Sequence, residues 1–288
     1  MGDTEIKFKP RLLGIVCNWC CYGGADLAGV SRFQYPPYIR LMRVMCSGRV
    51  DMKHIFRAFA NGADGVFVGG CHPNDCHYIT NGNYDALAMI QLCRKILEYI
   101  GVNPERLRIE WVSAGEGIRF ANIMSEFGMQ VEKWGPLGKS EGIGEGELQS
   151  RLEQVVRLIP YIKLTKREKL RFRSPDEDEY SNLFTSEEVE SLFREAPSYY
   201  IDPGKCHGCM TCARRCPAGA IAGVRNQVHV IDQEKCIKCG SCLAACPSRF
   251  GAVTRIRGGP VSPGVPESER DLAGKSRDKA EEGLLPVG

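Results

Sequence analysis

The stretch GADGVFVGGCHPNDCHY (62–78) sets the reading of the chain. Its centre, GVFVGG, is a short apolar run bounded by glycine and ending at Cys71. Runs of this length fit strands buried on both faces, as in a parallel sheet. Working outward, RLLGIVC (11–17) and IRLMRVMC (39–46) have the same form and also end in cysteine, and LRIEWVSA (107–114) is a fourth run. Between them, DMKHIFRAFANGAD (51–64) places Ile55, Phe56, Phe59 and Ala60 at helical spacing. DALAMIQLCRKILEYIGVN (85–103) sets Leu87, Ile90, Cys93, Ile96, Leu97 and Ile100 on one stripe, opening at Asp85 and closing at Gly101. GIRFANIMSEFGM (117–129) reads as a further helix. The alternation predicts an α/β fold, an open doubly wound parallel-sheet domain over residues 1–138.

Residues 139–200 read as a helical connector. GELQSRLEQVVRLI (146–159) aligns Leu148, Leu152, Val155, Val156 and Ile159, and Pro160 is expected to end it. TSEEVESLFREA (185–196) opens with a Thr-x-x-Glu capping box at Thr185 and Glu188. From residue 258 to 288 the chain is rich in glycine, proline and charge, and is expected to be a flexible tail or a strap along a partner.

Composition narrows the function. The chain has 288 residues with a formal charge of +3, too small to imply nucleic acid. No run of 18 uncharged apolar residues suggests a transmembrane segment. The start, MGDTEIKFKP, lacks the cationic head and apolar run of a secretory signal, and Ile6 stands where myristoylation wants Ser or Thr. A cytoplasmic setting is therefore expected, and it decides how the 15 cysteines are read. Disulfides need an oxidising compartment, and an odd count cannot pair fully within one chain. In a reducing compartment this density points to metal binding or redox work. Seven cysteines lie between 17 and 93 and eight between 206 and 246, with none in the interval.

CHGCMTCARRCP (206–217) and CIKCGSCLAACP (236–247) share the spacing C-x2-C-x2-C-x3-C-P. Three closely spaced thiolates wrap one corner of a cubane, while the fourth ligates the neighbouring cluster. One [4Fe-4S] cluster would take Cys206, Cys209, Cys212 and Cys246, and the other Cys236, Cys239, Cys242 and Cys216. Zinc also accepts four thiolates, but two complete copies of the motif favour iron–sulfur. The segment 201–257 therefore resembles a bacterial-type two-cluster ferredoxin, a small α+β domain. Its nine Lys/Arg against three Asp/Glu suit docking within an assembly better than free diffusion. Backbone amides of Gly208, Gly219 and Gly240 are either donors to cluster sulfur or makers of turns.

In the first domain Cys17, Cys20, Cys21, Cys46, Cys71 and Cys76 fall where predicted strands end. Ligands of open α/β sheets bind at those ends, so three loops are expected to bring thiols together. A [2Fe-2S] cluster needs four ligands. A dithiol at Cys17-Asn-Trp-Cys20, zinc, or mixed ligation with His72 and His77 are the alternatives. A solvated or capping role is the default for each histidine, and Cys93, on an apolar helix stripe, reads as core. Neither GVFVGG nor SAGEGIRFA completes G-x-G-x-x-G, which disfavours a bound dinucleotide.

CNWCCYGGADLAG (17–29), QYPPYIRLMRVMCSGRVD (34–51) and GADGVFVGGCHPNDCHY (62–78) resemble the delta subunit of methyl-viologen-reducing (F420-non-reducing) hydrogenase. They equally resemble the small electron-transfer domain fused to some heterodisulfide reductase A subunits. The resemblance runs from about residue 10 to 137. It implies a [2Fe-2S] cluster held by four of Cys17, Cys20, Cys46, Cys71 and Cys76, with Cys17 or Cys20 as the spare. It further implies a hetero-oligomeric partner, a heterodisulfide reductase A-like flavoprotein. The appended connector and ferredoxin domain leave the other partner open among a hydrogenase, a formate dehydrogenase and a methylenetetrahydrofolate reductase module.

Three functions follow. The first is an iron–sulfur electron-transfer subunit without a catalytic site of its own, with an electron-bifurcating complex among its settings. The second is a thiol–disulfide (heterodisulfide) reductase acting through Cys17, Cys20 and Cys21. The third is a redox sensor or scaffold with structural clusters.

Overall fold

The computed structural model describes residues 8–79, 81–257, 261–262 and 264–272. The N-terminal leader reading and most of the expected tail lie outside these residues. By contacts the chain divides into two compact units. The first runs to Ile159 and takes in Thr165–Glu190; the second comprises Pro160–Leu164 and the chain from Ser191 on.

The first unit is an α/β layer structure. Its strands are β1 (Leu12–Cys17), β2 (Ile39–Val44), β3 (Gly65–Gly70) and β4 (Leu107–Trp111). Its helices are α1 (Cys21–Val30), α2 (Met52–Ala60), α3 (Gly82–Tyr99) and α4 (Gly117–Trp134). The sheet is fully parallel in the order β2-β1-β3-β4. The chain therefore leaves β1 in one direction for β2 and returns past it to β3, which puts the topological switch point between the carboxyl ends of β1 and β3. All six residues of β3 are buried, as a central strand covered on both faces requires. Asp51 opens α2 by accepting from the Lys53 amide (2.9 Å), while its own amide donates to His54 Nδ1 (3.2 Å).

Helix α1 was not legible as a helix, because it has no broad apolar stripe. Its buried face consists of Cys21, Gly24, Ala25 and Ala28. A Cβ on Gly24 would stand 2.9 Å from the Ser113 carbonyl, and one on Gly117 would stand 2.8 Å from the Ala28 amide nitrogen. Small residues let α1 lie against the chain after β4 and the start of α4. Packing, not propensity, holds the helix.

Helix α5 (Glu145–Thr165) corrects the expectation that Pro160 ends it. The apolar stripe of Leu148, Leu152, Val155 and Ile159 continues to buried Ile162, so the packed face outlasts the hydrogen bond that proline cannot make. Helices α6 (Asp178–Ser181) and α7 (Ser186–Arg194) follow. The capping box of α7 is present: the Glu188 amide donates to Thr185 Oγ1 and the Thr185 amide to Glu188 Oε2, both at 3.2 Å. Lys166 and Lys169 pair with Glu188 and hold its carboxyl down at about 2 against the opposing effect of burial. Part of the expected connector belongs to the first unit's core. The Trp111 indole donates to Glu177 at 3.0 Å, and the Tyr180 ring is fully buried.

Arg106 is a structural anchor of this unit that the sequence did not announce. It is wholly buried, donates to both Glu141 (2.6 Å) and Ser140 Oγ (2.7 Å), and caps the carbonyls of Asp64 (2.9 Å) and Gly135 (3.1 Å). Burial works against the Glu141 carboxylate, yet the guanidinium keeps its pKa below the ordinary value. Arg106→Leu leaves that buried carboxylate without its cation and takes a donor from the Asp64 and Gly135 carbonyls. We expect a loss of roughly 3–5 kcal/mol, read as a lower urea midpoint for the first unit.

The second unit holds β5 (Pro197–Ile201), α8 (Thr211–Arg215), β6 (Ile221–Ala222), β7 (Val230–Ile231), α9 (Ser241–Ala245) and β8 (Val253–Arg257). Strand β5 pairs antiparallel with β8, and β6 with β7. The described part of the expected tail is not free. The Val228 amide donates to Arg270 (2.7 Å), the Leu272 amide donates to Asn226 (3.1 Å), and Gln227 bridges Asp271. The amides of Val228 and Leu272 each find a carbonyl across this bridge, a pairing that composition alone does not encode. Among the described residues, no helix is long and apolar enough to cross a membrane.

Candidate metal centres

Five of the first unit's thiols converge at the switch point. Cys17 ends β1, Cys20 is the N-cap of α1, Cys46 follows β2, and Cys71 and Cys76 lie in the loop after β3. Cys17 and Cys71 sulfurs stand 3.7 Å apart, and Cys20 also shares a hydrogen bond with Cys71. Cys46 and Cys76 form a second group, hydrogen-bonded to each other and set against Gly82. A Cβ on Gly82 would stand 2.2 Å from Cys76 Sγ and 3.5 Å from Cys46 Sγ, and its φ of +39° also favours glycine. That position has to be glycine for both thiols to fit.

The other two N-terminal cysteines point elsewhere. Cys21 is wholly buried against Gly69, where a Cβ would meet its sulfur at 2.2 Å, and burial pushes its pKa well up. Cys93 donates to Met89 Sδ (3.6 Å) inside α3, and burial raises its pKa as well. Both are core thiols.

Helix α1 polarises the site. Cys17 is lowered to about 6, first by the hydrogen bond from Cys71 and then by the amides of Cys21 (3.3 Å), Cys20 and Trp19, against the opposing effect of burial. The Cys71 thiol, as the donor, is raised, and burial adds to that rise. Burial pushes Cys46 up to about 11. Amides at the start of a helix stabilise one thiolate, and a bound cation would draw the protons from the rest.

The loop carrying Cys71 is fixed from behind by residues that motif reading missed. Asn83, nearly fully buried, donates to the carbonyls of Cys71 (3.1 Å) and His72 (2.8 Å). His72 pairs with Glu116 at 2.7 Å, and Glu116 also accepts from the Ser113 amide at the same distance. That amide, followed by His72, holds the Glu116 carboxyl near 2. His77 stacks on Trp19 with centroids 4.3 Å apart. Neither histidine joins a single-ion site: among the described residues, no three His, Cys, Asp or Glu side chains converge on one. Exposed Trp19, Met45, Tyr78 and Ile79 lie near these loops in sequence and are apolar.

In the second unit the two cysteine motifs fold alike. The second and fourth residues after the first cysteine are left-handed in both: Gly208 and Met210 (φ 59° and 65°), Lys238 and Gly240 (φ 58° and 78°). Alternating left-handed residues turn successive amides toward one point, a backbone arrangement that suits an anionic group. Met210 and Lys238 adopt that geometry at a cost of about 1–2 kcal/mol each. Cys206, Cys209 and Cys212 lie within electrostatic reach of one another. Cys216 lies within electrostatic reach of Cys236, in the second motif. Cys246 packs into the small core that holds Cys206 and Cys212, as well as Cys236 and Cys242. Burial pushes Cys212 and Cys242 up to about 11.

Of the two roles expected of the glycines, Gly219 takes the turn: its amide donates to the Cys216 carbonyl (3.3 Å), and the amide that reaches Cys216 Sγ is that of Ala220 (3.3 Å). Buried His229, absent from the motif reading, lies against Cys206. Its amide is 3.5 Å and its Nδ1 3.8 Å from the sulfur.

Comparison with known proteins adds two family matches. Residues 12–135 match the family described as methyl-viologen-reducing hydrogenase, delta subunit, and residues 198–247 match a 4Fe-4S dicluster domain. The iron-sulfur D subunit of the F420-non-reducing hydrogenase of Archaeoglobus profundus is 50% identical over 130 residues, 45% of this chain and 94% of the relative. The iron-sulfur D subunit of the vhc F420-non-reducing hydrogenase of Methanococcus voltae is 47% identical over 139 residues, 48% of this chain and 96% of that relative. The ferredoxin/F420H2-dependent CoB-CoM heterodisulfide reductase of Methanosarcina acetivorans has an A subunit that is 46% identical over 129 residues, 45% of this chain but 16% of the relative.

Proposed function

Because this chain belongs to the methyl-viologen-reducing hydrogenase delta-subunit family and carries a 4Fe-4S dicluster domain in the same polypeptide, we propose that it is an electron-transfer subunit with three iron–sulfur centres. The observation that carries the reading is the convergence of Cys17, Cys20, Cys46, Cys71 and Cys76 at the switch point of the sheet. A [2Fe-2S] cluster takes two thiolates on each iron, and the site offers a Cys46–Cys76 pair facing the Cys17, Cys20 and Cys71 group. Four of the five would be ligands. In the 201–257 domain, Cys206, Cys209, Cys212 and Cys246 would hold one [4Fe-4S] cluster, and Cys236, Cys239, Cys242 and Cys216 the other. Residues 1–138 then form the delta-subunit-like domain and 139–200 the connector, much of which packs into the same unit.

Bound there, the clusters would supply one-electron redox capacity. The chain's own residues supply the setting. Gly82 leaves room for two sulfurs, Asn83 fixes the Cys71 loop, and burial of Cys17, Cys46, Cys71 and Cys76 keeps water off the thiolates. The exposed apolar residues Trp19, Met45, Tyr78 and Ile79 suit a docked protein partner. The names of the relatives support a hydrogenase-type module on one side and a heterodisulfide reductase A-like partner on the other; that this partner is a flavoprotein is part of the proposal. A formate dehydrogenase or methylenetetrahydrofolate reductase module in the first place would use the same relay.

Iron and acid-labile sulfide analysis of the full chain tests the reading, with EPR of the reduced protein. About ten irons per chain with one [2Fe-2S] signal support the relay. One observation favours a second reading, a dithiol reductase: Cys17, lowered to about 6, lies at the start of α1 with Cys20 and Cys71 in reach. About eight irons together with two alkylatable N-terminal thiols would replace the relay with that enzyme.

A further inference from the structure

The thirty-residue offset between the cysteine motifs extends upstream of them. Ile201, Asp202, Lys205 and Cys206 correspond to Ile231, Asp232, Lys235 and Cys236, and on that register Tyr199 corresponds to His229. The packing follows the same register. The Tyr199 hydroxyl lies against Gly240, 2.8 Å from where a Cβ would stand. His229 Nε2 lies 3.1 Å from Sδ of Met210, the counterpart of Gly240. Each residue leans over one motif, and they differ in what they offer it. His229 presents a ring nitrogen to Cys206 Sγ at 3.8 Å, whereas no hydrogen bond joins the Tyr199 hydroxyl to a sulfur among the described residues.

The other groups beside these sulfurs are of the same kinds on both proposed ligand sets. Backbone amides serve both sets: those of His229 (3.5 Å, to Cys206), Thr211 and Ala213 on the first, and those of Ala220 (3.3 Å, to Cys216), Lys238 and Leu243 on the second. A hydroxyl lies beside one cysteine of each set: Thr211 Oγ1 is 3.4 Å from Cys209 Sγ, and Ser241 Oγ, which accepts from the Cys239 thiol at 3.2 Å, would donate to a ligand thiolate there. A cation also acts on each set, Arg249 on Cys209 and Lys238 on Cys236. Among the described residues, the imidazole of His229 is the side-chain group beside a sulfur that has no counterpart on the other set.

We propose that His229 donates its Nδ1–H to the Cys206 thiolate and so makes the cluster held by Cys206, Cys209, Cys212 and Cys246 the higher-potential member of the pair, the one that fills first. The proposal rests on the [4Fe-4S] reading given above. A ligand thiolate can only accept, so its charge places the ring hydrogen on Nδ1 and leaves Nε2 facing the weakly polar Met210 sulfur. A hydrogen bond to ligand sulfur disperses negative charge, which grows on reduction, and therefore raises the potential.

The test is an EPR-monitored redox titration of the full chain. The native protein should show two distinct [4Fe-4S] midpoints. The midpoint missing from Cys206→Ala, a first-cluster ligand under either wiring, identifies the first cluster. In His229→Phe that midpoint should fall while the other stays in place and iron content is unchanged. His229→Asn, which keeps a donor near the Nδ1 position, should restore most of the shift even if the Phe variant folds poorly. Unchanged midpoints in iron-replete His229→Phe, an equal shift of both, or a rise of the first would overturn the proposal. A native chain without two [4Fe-4S] signals would instead remove the cluster reading on which it rests.

Discussion

Cys71→Ala is expected to strip the N-terminal centre from the protein, lowering iron by about two of about ten per chain, while both [4Fe-4S] signals persist. The size of the effect follows from the place of Cys71 in the thiol group. It bonds to both Cys17 and Cys20, so it remains a ligand whichever of those two is the spare. Its backbone has no freedom to let a neighbour take over. Asn83 holds the carbonyls of Cys71 and His72 at 3.1 and 2.8 Å, and Glu116 holds the His72 ring at 2.7 Å. Cys21, the nearest unused thiol in sequence to that group, is committed to the far side of β3 against Gly69. Cys17→Ala and Cys20→Ala form the contrast. One of them should lose the cluster and the other keep it, which names the spare. Retention of all three signals in Cys71→Ala would refute the ligand set, and loss of all three would point to unfolding.

The sheet could be read from sequence because its central strands β1 and β3 are buried on both faces and lead into cysteine, a pattern carried by single residues, whereas the edge strand β2 keeps Arg40, Met42 and Arg43 exposed. The thiol site was readable for the same reason, since parallel strands that end together bring their loops together. What stayed hidden depends on contacts between distant parts of the chain. The α1 segment CYGGADLAGV has the composition of a loop and becomes a helix only because Gly24 and Gly117 allow close packing. Pro160 signals a stop that the packed face around Ile162 overrides. Arg106 looks like a surface arginine until Glu141 and the Gly135 carbonyl close over it. Position 229 lies outside the cysteine motif, and only the thirty-residue register, carried upstream, would have matched it with Tyr199.

The wiring of the second unit predicts the other large effect, and paired substitutions read it by counting iron. If the last cysteine of each motif serves the opposite cluster, Cys206→Ser with Cys246→Ser removes two ligands of one cluster and none of the other. That double variant should keep about four irons in the second unit. Cys236→Ser with Cys246→Ser removes one ligand from each cluster and should lose about eight. Within-motif wiring reverses the two outcomes, because Cys236 and Cys246 would then share a cluster. The action of Cys216 on Cys236 favours the crossed result. Both variants lose the same number of cysteines from the same small core, so a general loss of stability would lower them alike. Only a difference between them reports wiring. A short chain gains from the crossing: each cluster then ties the loop of one motif to the helix end of the other, so α8 and α9 are joined through metal in a unit whose strands β6 and β7 are only two residues each. Loss of either cluster should therefore loosen both motifs, and the variant that keeps about four irons should still unfold at lower urea than the native protein.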